Sequence, residues 1–465
     1  MIIQPRRPAA CCTALAATSP AAHVARPQPA TEPRMTQPNP SRRILVVALL
    51  MAVMIISVLD KTIFAFAGPQ IIDELQLSPE QFGFIGSAFF FLYSISGVLV
   101  GFLANRLPSR WILSGMSLVW MAAQLLTALA TSFYTLVASR LLLGAGCGPG
   151  TAVTQHACFK WYAPRERVLP AALIQVAIML GAIAGALALP LLIERLGWRA
   201  GYLLLAGVGL LWLLLWQLCG REGQYDDAND DSGGAALPYR HLLLNRTFVG
   251  ITLIAFCSYL PNALLYSWLP TYLQKGLGLT PMQSGYLVLS TTLGVIVLNL
   301  LVSSLSQRAL QRGASVRAAM VMPPLLACLV AALAFALMGL SATGLAATLG
   351  LFLVGGILVN LLSAFGYSIV AYIVPARQRG SMLAIHIGLL TSAGMLAPHL
   401  VGQAIGWQGG DLAAGFELAI GLFGLALLAS TLLGLLLIDP ERSRRDLAAH
   451  ADTPETIPAP APSQA

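Results

Sequence analysis

The stretch SVLDKTIFAFAGPQ, residues 57–70, decides how this chain is to be read. It sets Asp60 and Lys61 side by side inside a run that is otherwise apolar from Ile44 to Ala67. A bilayer crossing takes about 20 apolar residues, so the run is long enough to make one. An ionised side chain at that depth costs at least about 2.5–3.5 kcal/mol, so it is normally turned inward and marks a substrate or proton path. Gly68 and Pro69 are expected to end or bend the helix just after it. One acid and one base in a first membrane helix make transport the leading hypothesis.

Composition points the same way. The 465 residues are 57% hydrophobic and only 10% charged, with a mean hydropathy of +0.76, which is integral-membrane usage. The polar breaks predict an all-α polytopic protein with twelve spans at 44–67, 82–105, 111–131, 134–158, 168–193, 200–219, 247–273, 283–307, 317–339, 343–372, 380–406 and 412–438. Gly181, Gly185, Gly355 and Gly356 suit close helix packing. Residues 42–220 are expected to form one six-helix bundle and 246–439 a second, joined by a cytoplasmic linker at 221–245. Two halves of six helices are the layout of carriers built from internal repeats. Residues 1–41 and 440–465 are expected to be disordered tails, with translation starting at Met35.

A net charge of +8 could signal an anionic partner, but the excess is topological. With both termini cytoplasmic, eighteen cations flank the spans on that side, among them Arg42, Arg43, Arg110, Lys160, Arg246, Arg308, Arg377 and Arg444. The opposite side holds only Arg195, Arg199 and Lys275. Nucleic acid is therefore not a partner; the lipid bilayer is. The seven cysteines show no paired spacing and read as small core residues, with no metal or cofactor implied. No Ser/His/Asp array or pair of carboxylates suggests an enzyme.

Two cations remain at membrane depth, Lys61 and Arg140. Neighbours on a helix point about 100° apart, so Lys61 can face a central cavity while Asp60 faces helices of its own half. Lys61 would bind an anion and Asp60 would exchange a proton, with Arg140 as its partner. The plainer alternatives are mutual neutralisation, and snorkelling of Arg140 to the surface. His386 reads either as a ligand or relay or as a packing residue. Asn262, Tyr266 and Asn360 are candidate substrate-binding groups. Trp161, Trp268 and Tyr272 are expected to be interfacial anchors.

The motifs GFLANRLPSR (101–110), WYAPRER (161–167), LSPEQFGFIGSAFFFLYSISGVLVG (77–101) and SWLPTYLQKGLGLTPMQSGYL (267–287) resemble the major facilitator superfamily, in its anion:cation symporter branch of sugar-acid, phthalate and related carriers. The resemblance spans residues 42–440 and implies twelve helices in two six-helix halves. It implies a gating loop at Gly101, Asn105, Arg106 and Arg110, with Asn105 where Asp is usual and Pro108 where Gly is usual. It also implies substrate contact by Lys61 and Tyr93, and proton coupling through Asp60 and Arg140. One departure stands out: GAGCGPG carries Cys147 where the branch commonly has Glu. A thiol stays neutral in apolar surroundings, so coupling rests on Asp60 or is lost.

The expected function is import of a small organic anion, a carboxylate such as a sugar acid or aromatic acid, by proton symport in the inner membrane, with the protein acting as a monomer. The alternatives are a proton-driven exporter of drugs or metabolites, an uncoupled uniporter or exchanger, and a non-transporting sensor. No loop is large enough to fold as a sensor's partner-binding domain.

Overall fold

A chain this apolar must satisfy each backbone amide within its own segment, because the hydrocarbon offers no partner. Helices are the outcome throughout the residues described by the computed structural model, 40–103, 107–162, 166–223, 237–340 and 344–451. They are α1 (Pro40–Leu75), α2 (Pro79–Leu103), α3 (Ser109–Ala128), α4 (Phe133–Cys147), α5 (Gly150–Phe159) and α6 (Val168–Cys219). After the short α7 (Tyr239–Leu243) come α8 (Arg246–Ala263), α9 (Leu269–Thr271), α10 (Pro281–Gln311) and α11 (Met322–Leu340). The chain closes with α12 (Leu345–Val359), α13 (Leu361–Ile373), α14 (Arg379–Thr391), α15 (Ala393–Trp407), α16 (Leu412–Leu437) and α17 (Pro440–Ala451).

Among the described residues, eleven continuous stretches are long and apolar enough to cross a membrane. One of them, Leu169–Cys219, has 51 residues. At 1.5 Å per residue it would reach about 76 Å, more than twice the hydrocarbon thickness of about 30 Å. It is interrupted at Gly197, where φ is 78° and ψ is 163°, a conformation glycine adopts at little cost. It therefore supplies two spans and the total is twelve. Three other spans are each built from two helices, with junctions at Gly148–Pro149, Asn360 and Ser392.

The structure corrects several expectations. Gly68 and Pro69 do not end α1, which runs on to Leu75. Proline cannot donate to the carbonyl four residues back, and the Thr271 hydroxyl donates to that carbonyl, Ala65 O, at 3.5 Å. Residues 440–451 are not a disordered tail. Asp439 caps α17 by accepting from the Arg442 amide at 3.0 Å, and the Ser443 hydroxyl donates to Thr247 Oγ1 at 2.7 Å. Leu447 is buried beneath it. Trp161, Trp268 and Tyr272 are core residues instead of interfacial anchors, all buried, and the Trp268 indole donates to Pro398 O at 2.9 Å. The tails 1–39 and 452–465, the linker segment 224–236, and Asn105 and Arg106 lie outside the described residues.

The two sets of six helices begin their second spans alike. LSPEQFG (77–83) and LTPMQSG (279–285) each form a capping box. Ser78 Oγ accepts from the Gln81 amide at 3.2 Å, and Gln81 Oε1 accepts from the Ser78 amide at 3.0 Å. Thr280 and Gln283 repeat the exchange at 3.2 and 2.9 Å. The glycines that follow do the same job across the interface between the halves. A Cβ on Gly83 would lie 2.4 Å from Pro398 O, and one on Gly285 would lie 2.2 Å from Ala186 O. Further contacts cluster at the same end: an ion pair between Lys275 and Asp73, Gly68 against Thr271, and the His399 amide donating to Ser87 Oγ at 3.1 Å. This end, opposite the face that holds Pro40 and Ala451, is closed by glycine-permitted backbone approach.

Within the first half, Gly144 is the tightest such contact: its Cβ would sit 2.0 Å from Phe89 O. Backbone cannot yield as a side-chain tip can, so Gly144→Val is expected to cost at least about 1–3 kcal/mol. Gly115→Ala, where nothing lies within 4 Å, should leave thermal unfolding in detergent unchanged. Comparing the two melting curves checks the assignment.

Candidate functional site

Asp60 and Lys61, adjacent on α1, diverge into different surroundings. Asp60 is 1% exposed. Gln124 on α3 and Arg140 on α4, both in its own half, act on its charge. Arg140 is equally buried, with its guanidinium 4.4 Å from the Phe64 ring centroid and 4.9 Å from that of Phe89. It does not snorkel. Among the described residues no acceptor hydrogen-bonds any of its three nitrogens. The Phe64 and Phe89 faces and the longer-range charge of Asp60 are therefore its compensation. Tyr202 on α6 and Cys147 at the end of α4 complete this first-half cluster.

Lys61 is half-buried. Its ammonium lies 5.9 Å from the centroid of the Tyr93 ring on α2. It is also within electrostatic reach of Tyr266, which belongs to the second half. Tyr93, Asn262, Tyr266 and Asn360 are likewise partly accessible. Asn360 Nδ2 donates to Asn262 Oδ1 at 2.9 Å and to Gly356 O at 2.7 Å, and Asn262 Nδ2 donates to Ser258 O at 2.9 Å. The junction between α12 and α13 falls at Asn360.

His386 is a correction. It is 1% exposed, hydrogen-bonded through Nδ1 to the Thr252 hydroxyl at 2.8 Å, and packed edge-on to Phe248 and Tyr367. These contacts are those of a packing residue of the second half. Sequence reasoning passed over Tyr259 and Phe90. Tyr259 lies with Asn262 and Tyr266 at spacings of three and seven, one face of a helix, and that spacing was the available signal. Phe90 stands edge-on to Tyr93, Tyr259 and Tyr266, with centroids 6.3, 6.0 and 6.4 Å away.

Of the expected gating loop, Gly101 falls in the last turns of α2, and Arg110 donates to Gln217 O at 2.6 Å. The carboxylate that organises this face is Glu222, which accepts from the Ser109 and Arg110 amides at 2.9 and 3.2 Å and from Lys160 Nζ at 2.6 Å. Burial pushes its pKa up, but Lys160 and the two amides outweigh that and hold it below the usual carboxylate range. Glu222 thus caps α3, whose own N-cap residue, Pro108, offers no side-chain bond.

The model of the Major Facilitator Superfamily matches residues 50–398. A hexuronate transporter of Bacillus subtilis is 27% identical over 399 residues, covering 83% of this chain and 93% of its own. A probable sulfoacetate transporter of Cupriavidus necator is 25% identical, covering 58% of this chain and 68% of its own. The fold is similar to that of a bacterial homologue of the human lysosomal transporter Spinster, with a TM-score of 0.71 at 18% identity over 87% of this chain and 98% of that one.

Removing the hydroxyl opposite the buried imidazole leaves Nδ1 unsatisfied, a cost of about 1–3 kcal/mol. Thr252→Val is therefore expected to lower the melting temperature while leaving the transport KM of any substrate unchanged. A raised KM with normal stability would return His386 to the substrate site.

Proposed function

Because this chain belongs to the major facilitator superfamily, and so is a multi-pass membrane transporter and not an enzyme, we propose that it is a proton-coupled importer of a small organic monoanion. The observation that carries this reading is the position of the Lys61 ammonium, 5.9 Å from the Tyr93 ring centroid in the first half and within electrostatic reach of Tyr266 in the second. The relatives named as hexuronate and sulfoacetate transporters support an organic anion as cargo. In this reading the face that holds Pro40 and Ala451 is cytoplasmic, the membrane is the inner one, and the glycine-closed end is external. The protein works as a monomer, with residues 42–220 and 246–439 rocking about the central site.

Membrane potential opposes uptake of an anion by about 2.3 kcal/mol per charge per 100 mV. Carrying more protons than substrate charges reverses that sign. Asp60 is the carboxylate at depth that could carry one, and Arg140 is the cation that responds to its charge. Lys61 attracts the anion, while Tyr93, Asn262, Tyr266 and Asn360 orient it. A second reading, uncoupled exchange, is favoured by one observation: Cys147, buried beside Lys61 and Asp60, offers no second carboxylate.

In proteoliposomes, Lys61→Gln is expected to weaken binding of a carboxylate substrate about 10- to 150-fold, the loss of one hydrogen bond to a charged group. Equal affinity in wild type and variant would refute the site. Asp60→Asn is expected to abolish uptake driven by a pH gradient while sparing substrate exchange. Undiminished gradient-driven uptake would remove Asp60 from the coupling role, and a wild type that only exchanges would establish the second reading.

A further inference from the structure

The first half carries a second basic site, away from the cluster around Arg140. Where α3 begins and α6 ends, on the face that holds Pro40 and Ala451, there is an open cavity of about 510 Å³ whose lining includes Arg110, Trp111, Gln217, Leu218, Arg221 and Glu222. Its walls are held by local packing. The Trp216 indole donates to Arg110 O at 3.2 Å, and Gln217 Nε2 donates to Ser114 Oγ at 2.6 Å, so the two helix ends lie side by side. The Trp161 indole donates to Arg221 O at 3.3 Å and fixes the chain beyond α6.

The charges of this cavity do not cancel. Glu222 is already spent on the Ser109 and Arg110 amides and on Lys160. Arg110 Nη2 donates to Gln217 O at 2.6 Å, while its Nε is buried with no acceptor among the described residues. Arg221 is exposed. Among the described residues neither guanidinium forms an ion pair. Three cations thus surround one carboxylate, and two of them are left to meet an anion from outside.

The flank of the cavity is apolar. Trp111 is 62% exposed and Leu218 is 79% exposed. Their helices carry the strip onward with Leu118 on α3 and Leu211 and Leu214 on α6, all exposed, at spacings of three, four and seven that keep one face. A Cβ on Gly115 would meet nothing within 4 Å, so the surface dips between Trp111 and Leu118. The Arg110 guanidinium lies 5.7 Å from the centroid of the Trp111 ring, and an indole beside a cation at a helix end belongs at the level of lipid headgroups. A soluble anion would use the guanidiniums and leave this strip bare. A lipid uses both.

We propose that this cavity binds an anionic phospholipid, with its phosphate shared by Arg110 and Arg221 and an acyl chain lying between Trp111 and Leu218 over Gly115. Guanidinium is the side chain best matched to a phosphate, and basic pockets between membrane helices are suited to acidic headgroups. The bound lipid bridges the end of α6 to the start of α3 and braces these helices of the first half. The site is independent of what the carrier transports.

The test uses the purified full-length protein, stripped of lipid in detergent. Native mass spectrometry and thermal unfolding are followed with phosphatidylglycerol, with phosphatidylcholine of the same chains, and with inorganic phosphate. Phosphatidylglycerol is expected to bind and raise the melting temperature, and the other two to do neither at equal concentration. Arg221→Gln should weaken phosphatidylglycerol about fivefold, the scale for one cation near an anionic surface, and Arg110→Gln combined with Arg221→Gln more than about tenfold. Arg221→Lys, which keeps the charge, should fall between wild type and Arg221→Gln. Arg308→Gln, at an exposed cation near the end of α10, should stay within about twofold of wild type. If Arg110→Gln does not fold without its bond to Gln217, Arg221→Gln carries the test alone. Equal protection by phosphatidylcholine or by inorganic phosphate overturns the anionic lipid as occupant. An equal loss in Arg308→Gln overturns the site, because the attraction then belongs to the whole basic face. Unchanged phosphatidylglycerol binding in Arg221→Gln overturns it as well.

Discussion

A guanidinium buried at bilayer depth, with no hydrogen-bond acceptor among the described residues, is the constraint around which the first half is arranged. Burying such a charge costs several kcal/mol unless something compensates it. Here the compensation is spread: the rings of Phe64 and Phe89, a carboxylate at longer range on α1, and the phenol of Tyr202. Because Asp60 is committed to this cluster, its neighbour Lys61 leaves α1 in another direction, to within electrostatic reach of Tyr266 in the second half. A single turn of helix thus sends one charge into the scaffold and the other to within reach of both halves.

The second constraint is closure at one end. Gly83 and Gly285 follow equivalent capping boxes and let α2 and α10 lie against the backbone of α15 and α6, respectively. The Thr271 hydroxyl takes the Ala65 carbonyl that Pro69 leaves without a donor, so the proline that might have ended α1 becomes a point of contact between halves. Contacts of this kind are made by small residues and single hydrogen bonds, which separate and re-form more cheaply than an interlocked apolar core. A carrier that must open at this end needs that property. At the opposite face the named polar contacts stay within a half: Glu222 with α3 and Lys160, and Gln378 with Leu237 O at 2.7 Å.

Much of this was legible in the residues. The span pattern followed from hydropathy, and the one merged helix, α6, was separable at Gly197 because both of its parts were long enough to cross alone. The Asp60–Lys61 pair announced itself as charge in an apolar run. Its divergence followed from helical geometry. The capping boxes at Ser78 and Thr280 were equally visible as a repeat, and the three- and seven-residue spacing of Tyr259, Asn262 and Tyr266 marked a shared face. Missed or misread were the features that depend on a partner distant in sequence. Pro69 reads as a helix stop until Thr271 supplies the missing donor. Trp268 and Tyr272 read as interface anchors until Pro398 and Glu417 prove to be their partners.

The sequence by itself therefore determined the class, the span pattern and the depth of the charges, because those depend on local composition and on the price of polarity in hydrocarbon. Only the tertiary structure decided which charges see each other: that Arg140 is caged by Phe64 and Phe89, that His386 is spent on Thr252, and that Lys61 looks out on tyrosines from both halves. Those outcomes depend on which helices pack side by side, and helix neighbours in a membrane are chosen by glycine contacts and single hydrogen bonds that span hundreds of residues. Hydropathy carries no record of them.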